Sequence, residues 1–242
     1  ACDAAKTKFL AVNERCKSWS IPYEFASDEE LVQGVKDSLH AFWFQTGGPY
    51  ISDLREVFLR GRAGPGASIG ARDCDFYTKM FDSTLTATGD LPQVWARLTS
   101  MNGLWSEASC FQDELHGVRV VESSNYSFVN KSTKIARGIC TEPSINMWMQ
   151  LGCGSLLTDA IRSFYGIELS NQPDKNRVLA RLGSIHDDLT TIDLESASDS
   201  LGLNVLREIL PRTMFSVLES FRCPSTKMPS GERVVLNMIS TS

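Results

Sequence analysis

The sequence contains no apolar run long enough to span a membrane, and its first residues lack the basic-then-apolar order of a signal peptide. It contains no Cys-x-x-Cys pair either: its 7 cysteines are dispersed, and its 3 histidines lie far from one another. Cysteines spaced in this way are typical of reduced thiols, and nothing in the spacing indicates a disulfide framework or a zinc site. These absences predict an intracellular protein with no membrane span.

The chain also contains fewer positively than negatively charged residues. The 24 lysines and arginines are outnumbered by 29 aspartates and glutamates, which gives a formal net charge of −5. The chain as a whole therefore lacks the basic character of a nucleic-acid-binding surface. Any contact with RNA must use local basic clusters. The sequence has two of these, the arginines at 55, 60, 62 and 72 and the cations between residues 131 and 137.

The four arginines surround the glycine-rich segment 61–70. Backbone N–H groups and guanidinium groups there could bind RNA phosphates, and a flexible surface loop between helices is an equally good interpretation. Within the segment, Gly66-Ala-Ser-Ile-Gly70 has the spacing of a hydrolase nucleophile elbow. That elbow requires a buried strand before the serine. Because the preceding residues have the composition of a loop, the pattern does not favour a hydrolase.

The order of the predicted elements indicates an α+β fold, with helices first and strands later. The composition, 42% hydrophobic and 22% charged, is that of an ordinary globular protein. Apolar spacing predicts helices at 4–19, 27–44, 146–165 and 173–182 and another from near 198 to 210, and strands at 118–121, 126–129, 189–193 and 234–236.

The segment 189–200 places an aspartate, Asp193, at the end of the predicted strand, among small hydroxyl residues. A carboxylate in this position suits Mg²⁺, which is commonly held by one or two carboxylates together with substrate phosphates. The alternative is a helix cap, in which Ser196, Ser198 or Asp199 accepts hydrogen bonds from free backbone N–H groups. Such caps are common, so the pattern alone favours the cap.

The second basic cluster, Lys131, Lys134 and Arg137, lies on a short extended stretch. Three cations on such a stretch could line a channel and neutralise a triphosphate. A solvated basic strand edge, which discourages aggregation, explains the same residues equally well.

Four strings of residues resemble the replicase subunit of single-stranded RNA bacteriophages of the levivirus type. They occur in the family's order and at matching separations: the basic strand 129–137, the run from Glu142-Pro143 to Gly154, the stretch Tyr165 to Gln172, and Leu189 to Ser200, which resembles polymerase motif A. Weaker similarity extends to 8–11 and 64–67. Asn130, Ala136 and Glu195 depart from the family pattern, and Glu195 lies beside the supposed metal ligand.

The resemblance implies an RNA-directed RNA polymerase with a right-hand fold, of which this chain would contain helix-rich fingers and the beginning of the palm. Residues 1–116 would form the helix-rich N-terminal and fingers region, 117–188 the fingers with the basic NTP-entry strand and the long helix, and 189–242 the start of the palm. Motif C, with its Gly-Asp-Asp, and the thumb are expected beyond Ser242. His186-Asp187-Asp188 looks like that triplet, but it precedes motif A and is interpreted as a loop.

The resemblance also implies roles for five residues. Asp193 would bind Mg²⁺, Asp199 would help to select a ribose, and Lys131, Lys134 and Arg137 would bind the NTP. The implied partners are RNA template and product, NTPs and the host elongation factors Tu and Ts, in the cytoplasm of an infected bacterium. A non-catalytic RNA-binding or assembly module derived from polymerase fingers is the alternative function.

Overall fold

The computed structural model describes residues 2–130, 132 and 135–240. Its helices are α1 (Cys2–Ser18), α2 (Ala26–Trp43), α3 (Leu54–Leu59), α4 (Phe76–Phe81), α5 (Leu91–Ser100), α6 (Gly103–Leu115), α7 (Ser144–Tyr165), α8 (Gln172–His186), α9 (Leu203–Ile209) and α10 (Arg212–Phe221), with a 3₁₀ turn at Leu169–Asn171. Its strands are β1 (Leu85–Ala87), β2 (Val118–Val120), β3 (Ser124–Asn130), β4 (Ala136–Thr141), β5 (Ser225–Lys227) and β6 (Arg233–Val235). No helix in this described part of the chain has the length and apolar character needed to cross a membrane.

The strands form two small sheets. β1 and β2 pair in parallel, and the larger sheet has the order β4-β3-β5-β6. In the larger sheet, β3 is antiparallel to β4 and parallel to β5, and β5 is antiparallel to β6. The register of the β3–β4 pair places Val129 opposite Arg137, which fixes the position of the arginine near the end of the hairpin.

Helix α7 forms the centre of the main core. Its Trp148 lies within a cluster of aromatic rings, with ring centroids 5.1 Å from those of Trp105 and 5.8 Å from those of Trp95. The indole N–H of Trp148 donates to the carbonyl of Phe58 at 2.8 Å. Helix α3 approaches α7 closely at Gly152, where an added Cβ would lie 2.0 Å from the carbonyl oxygen of Val57.

Helix α1 packs against β4 and α9. Asn13 connects it to the C-terminal segment: its amide donates to the carbonyl of Val235, and its side-chain oxygen accepts from the N–H of Asn237, both at 2.8 Å. The first helix is thereby joined to residues that are far away in the sequence.

The predicted α+β class is confirmed, and the helices expected at 4–19, 146–165 and 173–182 correspond to α1, α7 and α8. The strand predicted at 189–193 is wrong: residues 188–194 have no regular secondary structure, and 195–200 form turns. No backbone in the described ranges pairs with 189–193, and β-branched residues alone do not make a strand. The helix expected from near Ser198 begins at Leu203 instead.

Candidate functional site

A cleft of about 660 Å³ lies between α1, the β3–β4 hairpin and the segment 193–199, and is called the α1–β4 cleft here. It brings together the three predicted site residues that the structure describes. Asp193 and Asp199 come from one wall and Arg137 from another, and Lys8, Tyr126 and Glu195 also line the cleft. Lys131 and Lys134, the other two predicted residues, lie outside the described residues.

Asp193 is exposed and lines this cleft. Its neighbours Ile192 and Leu194 are also exposed, at 81% and 70%. Within residues 2–130, 132 and 135–240, its carboxylate makes no hydrogen bond or ion pair to another side chain. Its two oxygens are therefore available to a ligand that enters from solvent.

Asp199 is held more firmly. The Ser198 hydroxyl donates to its carboxylate at 3.2 Å, and its backbone carbonyl accepts from the thiol of Cys16 on α1 at 3.6 Å. The capping alternative for this segment is not supported where the next helix begins. The N-cap of α9 is Gly202, and no side chain caps that helix.

Arg137 is exposed on β4 and lines the cleft next to Gly138. Gly138 is required here because an added Cβ would lie 1.8 Å from the hydroxyl oxygen of Tyr126. Tyr126 packs its ring 4.6 Å from that of Phe9, and its hydroxyl donates to the carbonyl of Ala5 at 3.4 Å. Burial raises the pKa of Tyr126 to about 12, so it is a neutral hydrogen-bonding wall of the cleft at physiological pH.

Sequence reasoning missed the pairing of Lys8 with Glu195. The Lys8 ammonium lies 2.7 Å from a carboxylate oxygen of Glu195 and lowers the pKa of that carboxyl, mainly through a hydrogen bond. Glu195 therefore turns toward α1. Its departure from the family pattern was the available signal, but nothing in the sequence pointed to Lys8.

The donor atoms of the cleft fit Mg²⁺ only as a partial ligand set. The described residues contain no group of three or more His, Cys, Asp or Glu side chains that could enclose a metal ion. Mg²⁺ usually keeps several waters and takes one or two protein carboxylates with substrate phosphates. Asp193, whose carboxylate oxygens bind no other described side chain, suits a Mg²⁺ ion that is held mainly by waters and substrate phosphates.

Three of the four arginines of the first basic cluster form ion pairs with carboxylates of the protein itself. Arg55 pairs with Asp53, Arg60 with Asp159 and Arg72 with Asp82.

A buried lysine holds the backbone of segment 61–70 in place through hydrogen bonds. The ammonium of Lys79, only 1% exposed, donates to the carbonyls of Ala63 at 3.1 Å and Gly64 at 2.8 Å, and also to that of Gly66. Ser68 is buried, and its hydroxyl has no hydrogen-bond partner in the described structure. It therefore lacks the exposure that a nucleophile needs.

One further expectation concerns acidic residues outside the cleft. Asp187 adopts a left-handed conformation, with φ of 60°, and ends α8. The interpretation of His186-Asp187-Asp188 as a loop therefore holds for Asp187 and Asp188, whereas His186 is the last residue of α8.

Two carboxylates that share an open cleft with a guanidinium group make up a site suited to metal-bound phosphate groups. The chain belongs to the RNA replicase, beta-chain family, whose sequence profile matches residues 2–242.

Individual relatives support the same family. The chain is 41% identical over 116 residues to the RNA-directed RNA polymerase beta chain of Enterobacteria phage GA, a match that covers 48% of this chain and 21% of the relative. It is 40% identical over 113 residues to the RNA-directed RNA polymerase subunit beta of Escherichia virus Qbeta, covering 47% and 19%. With the beta chain of Escherichia phage MS2, identity is 36% over 118 residues, covering 49% and 21%. The matches thus span about a fifth of the length of these relatives.

Proposed function

We propose that this chain is part of an RNA-directed RNA polymerase that copies the RNA genome of a bacteriophage. The observation that supports this most directly is the α1–β4 cleft, where Asp193, Asp199 and Arg137 line one space although the sequence separates the aspartates from the arginine. The names of the relatives point to the same chemistry.

The proposed reaction is template-directed nucleotidyl transfer. The 3′-hydroxyl oxygen of the growing RNA forms a bond to the α-phosphorus of an NTP, the bond between the α- and β-phosphates breaks, and pyrophosphate leaves with the hydroxyl proton passing to solvent. Catalysis of this kind depends on positioning and charge neutralisation. The residues of this chain would supply both.

Each residue of the cleft has a defined part in the proposal. Asp193 would hold Mg²⁺, which when bound makes the hydroxyl more acidic and shields the triphosphate. Arg137, with Lys131 and Lys134 from the same basic stretch, would neutralise the phosphates of the incoming NTP. Asp199 would accept a hydrogen bond near the 2′-hydroxyl of a ribose and so favour ribonucleotides.

The proposal extends to the architecture and the partners. Residues 1–116 and 117–188 would form the fingers of a right-hand polymerase, and 189–242 would begin its palm. The partners would be RNA template and product, NTPs and, by family resemblance, the host elongation factors Tu and Ts. Replication would take place in the infected bacterial cell.

The decisive experiment is Asp193→Asn in the intact protein. Replacing the proposed metal-binding carboxylate should reduce primer extension by about 100-fold or more, while RNA binding stays within about twofold. The matched control is Asp174→Asn, an exposed aspartate paired with Arg177 on α8, which should extend primers at the wild-type rate. Undiminished extension by the Asp193 variant would reject the assignment and favour a non-catalytic RNA-binding module.

The basic stretch has its own test. Lys134→Ala and Arg137→Ala should each raise the KM for NTPs about tenfold with a smaller change in kcat, because one charge-assisted contact to phosphate is lost. A KM that does not change would remove the substituted residue from the proposed NTP site.

A further inference from the structure

Helix α1 is attached to both ends of the segment that follows Asp193. At one end, the Lys8 ammonium lies 2.7 Å from the Glu195 carboxylate. At the other, the Cys16 thiol donates to the carbonyl of Asp199, and just beyond the segment the amide of Asn204 on α9 donates to the carbonyl of Lys17 at 2.8 Å. The Lys8 contact differs from the other two because it joins two charged side chains inside the cleft.

The ion pair of Lys8 and Glu195 is open to solvent. The two side chains are 51% and 81% exposed, and pairs with this exposure contribute little to stability because water and salt screen them. An ion pair that holds its partners weakly can exchange one partner for a stronger ligand. A phosphate group carries more negative charge than a carboxylate and offers more acceptor oxygens.

The charges around the cleft show what would change if Lys8 exchanged Glu195 for a phosphate group. The described charged residues that line it are the cations Lys8 on α1 and Arg137 on β4, and the anions Asp193, Glu195 and Asp199 of the segment 193–199. With Lys8 engaged by Glu195, Arg137 is the one described cation of the lining that has no carboxylate partner in the described structure. Release of Lys8 would provide a second cation where a polyphosphate would lie.

We propose that Lys8 is a further phosphate-binding residue of the α1–β4 cleft and that Glu195 is the internal anion that occupies it until a polyphosphate arrives. The inference deepens the proposed function, on which the identity of the polyphosphate as an NTP rests. It gives α1 a direct part in substrate binding, and it explains why an acidic residue is tolerated beside Asp193: its charge is directed to Lys8.

A purely structural role for the Lys8–Glu195 pair predicts a different effect of Glu195→Gln on phosphate binding. If the ion pair only holds α1 against the segment 193–199, removing either partner should have the same effect. If Glu195 competes with phosphate for Lys8, the two substitutions should act in opposite directions. Glu195→Gln should strengthen phosphate binding, and Lys8→Met should weaken it.

The experiment is calorimetric titration of the intact protein with inorganic triphosphate, without RNA. Lys8→Met should raise the dissociation constant about tenfold, the loss of one charge-assisted contact. Glu195→Gln should lower it about threefold, and the double variant should match Lys8→Met. The control is the exposed pair of Lys17 and Glu14, also on α1 but outside the cleft, where Lys17→Met and Glu14→Gln should leave the constant unchanged.

The outcomes separate the two proposals. Weakening by both Lys8→Met and Glu195→Gln, or no effect of Lys8→Met, would overturn the role of Lys8. Primer extension by the same preparations reports on the polymerase proposal independently. A protein that binds triphosphate through Lys8 but extends no primer would keep this inference and reject the polymerase function, whereas the reverse result would reject this inference alone.

Discussion

The core around α7 and the segment 189–200 both contain strings that resemble the replicase family, yet their surroundings differ sharply. Trp148 on α7 is 5% exposed and packs against aromatic rings from α5 and α6. Ile192, in the segment that carries Asp193, is 81% exposed. Residues that resemble the replicase family therefore occur both in the tightly packed core around α7 and in the exposed segment 189–200.

The difference separates two ways of placing a functional group. In the core, burial and hydrogen bonds determine the position of each side chain. In the segment 189–200, most side chains are exposed, and contacts from α1 to Glu195 and Asp199 restrain the segment. The site thus depends on long-range attachments that are fewer and weaker than the contacts of the core.

The largest effect is expected from Trp148→Ala. The substitution leaves a cavity among the aromatic rings and removes the donor to the Phe58 carbonyl, so the free energy of unfolding should fall by about 4 kcal/mol. Ile192→Ala removes an apolar side chain from the other region and should change that free energy by about 0.5 kcal/mol or less. Chemical denaturation of both variants tests the contrast. Equal losses would show that the segment 189–200 is packed as tightly as the core.

Two glycines of α7 sharpen the contrast within one helix. An added Cβ at Gly152 would lie 2.0 Å from the Val57 carbonyl oxygen, whereas one at Gly154 would meet no atom within 4 Å. Gly152→Ala should therefore destabilise the chain by about 3 kcal/mol through forced separation of α3 and α7. Gly154→Ala should stabilise it by about 0.5 to 1 kcal/mol through its helix propensity. Thermal melting that shows the same sign for both variants would contradict the close approach.

Much of the helical framework could be predicted because its apolar spacing is regular, as in α1 and α7. Helix α6 was not predicted. Its Leu104, Phe111 and Leu115 are exposed at 86%, 62% and 71%, so its apolar residues do not mark one buried face. Strand β1 is only 3 residues long and wholly buried, which leaves no alternation to detect.

For the site, the sequence identified residue types but not their arrangement. The sequence predicts Asp193, Asp199 and Arg137 as site residues, and in the structure these three line one cleft. The strand that was to carry Asp193 was wrong, because strand formation depends on a neighbouring backbone that local composition does not reveal. The contact between Lys8 and Glu195 was equally invisible, since it arises only when α1 folds back onto a distant segment.

A buried lysine provides the next prediction. Lys79→Met leaves the carbonyls of Ala63, Gly64 and Gly66 without their shared donor, and unsatisfied buried acceptors are costly, so stability should fall by about 2 kcal/mol. The control, Lys175→Met on the exposed surface of α8, should have almost no effect in the same denaturation experiment. If the Lys79 variant were as stable as the control, the glycine-rich segment would not depend on this ammonium.

The smallest effect is expected at Glu142, which precedes α7 and is hydrogen-bonded by the Gln150 amide at 3.2 Å. Burial raises the pKa of this carboxyl above its ordinary 4.5, and the hydrogen bonds from Cys223 and Gln150, together with the nearby Arg222, only partly oppose that shift. The folded state therefore favours the protonated form. The protonated carboxyl of Glu142 contributes its full stabilisation below pH 4.5. That contribution is lost as the pH rises through the folded-state pKa and the carboxyl ionises.

Glu142→Gln keeps an uncharged, hydrogen-bonding side chain at every pH. Its stability relative to the wild type should consequently increase as the pH rises from about 4.5 toward neutrality, by less than the change expected at Lys79. Denaturation curves at several pH values measure this difference, and Glu107→Gln on the exposed surface of α6 controls for the general loss of a negative charge. A difference that shrinks with rising pH would mean that the folded core prefers the ionised carboxylate, with the hydrogen bonds from Cys223 and Gln150 and the charge of Arg222 outweighing burial.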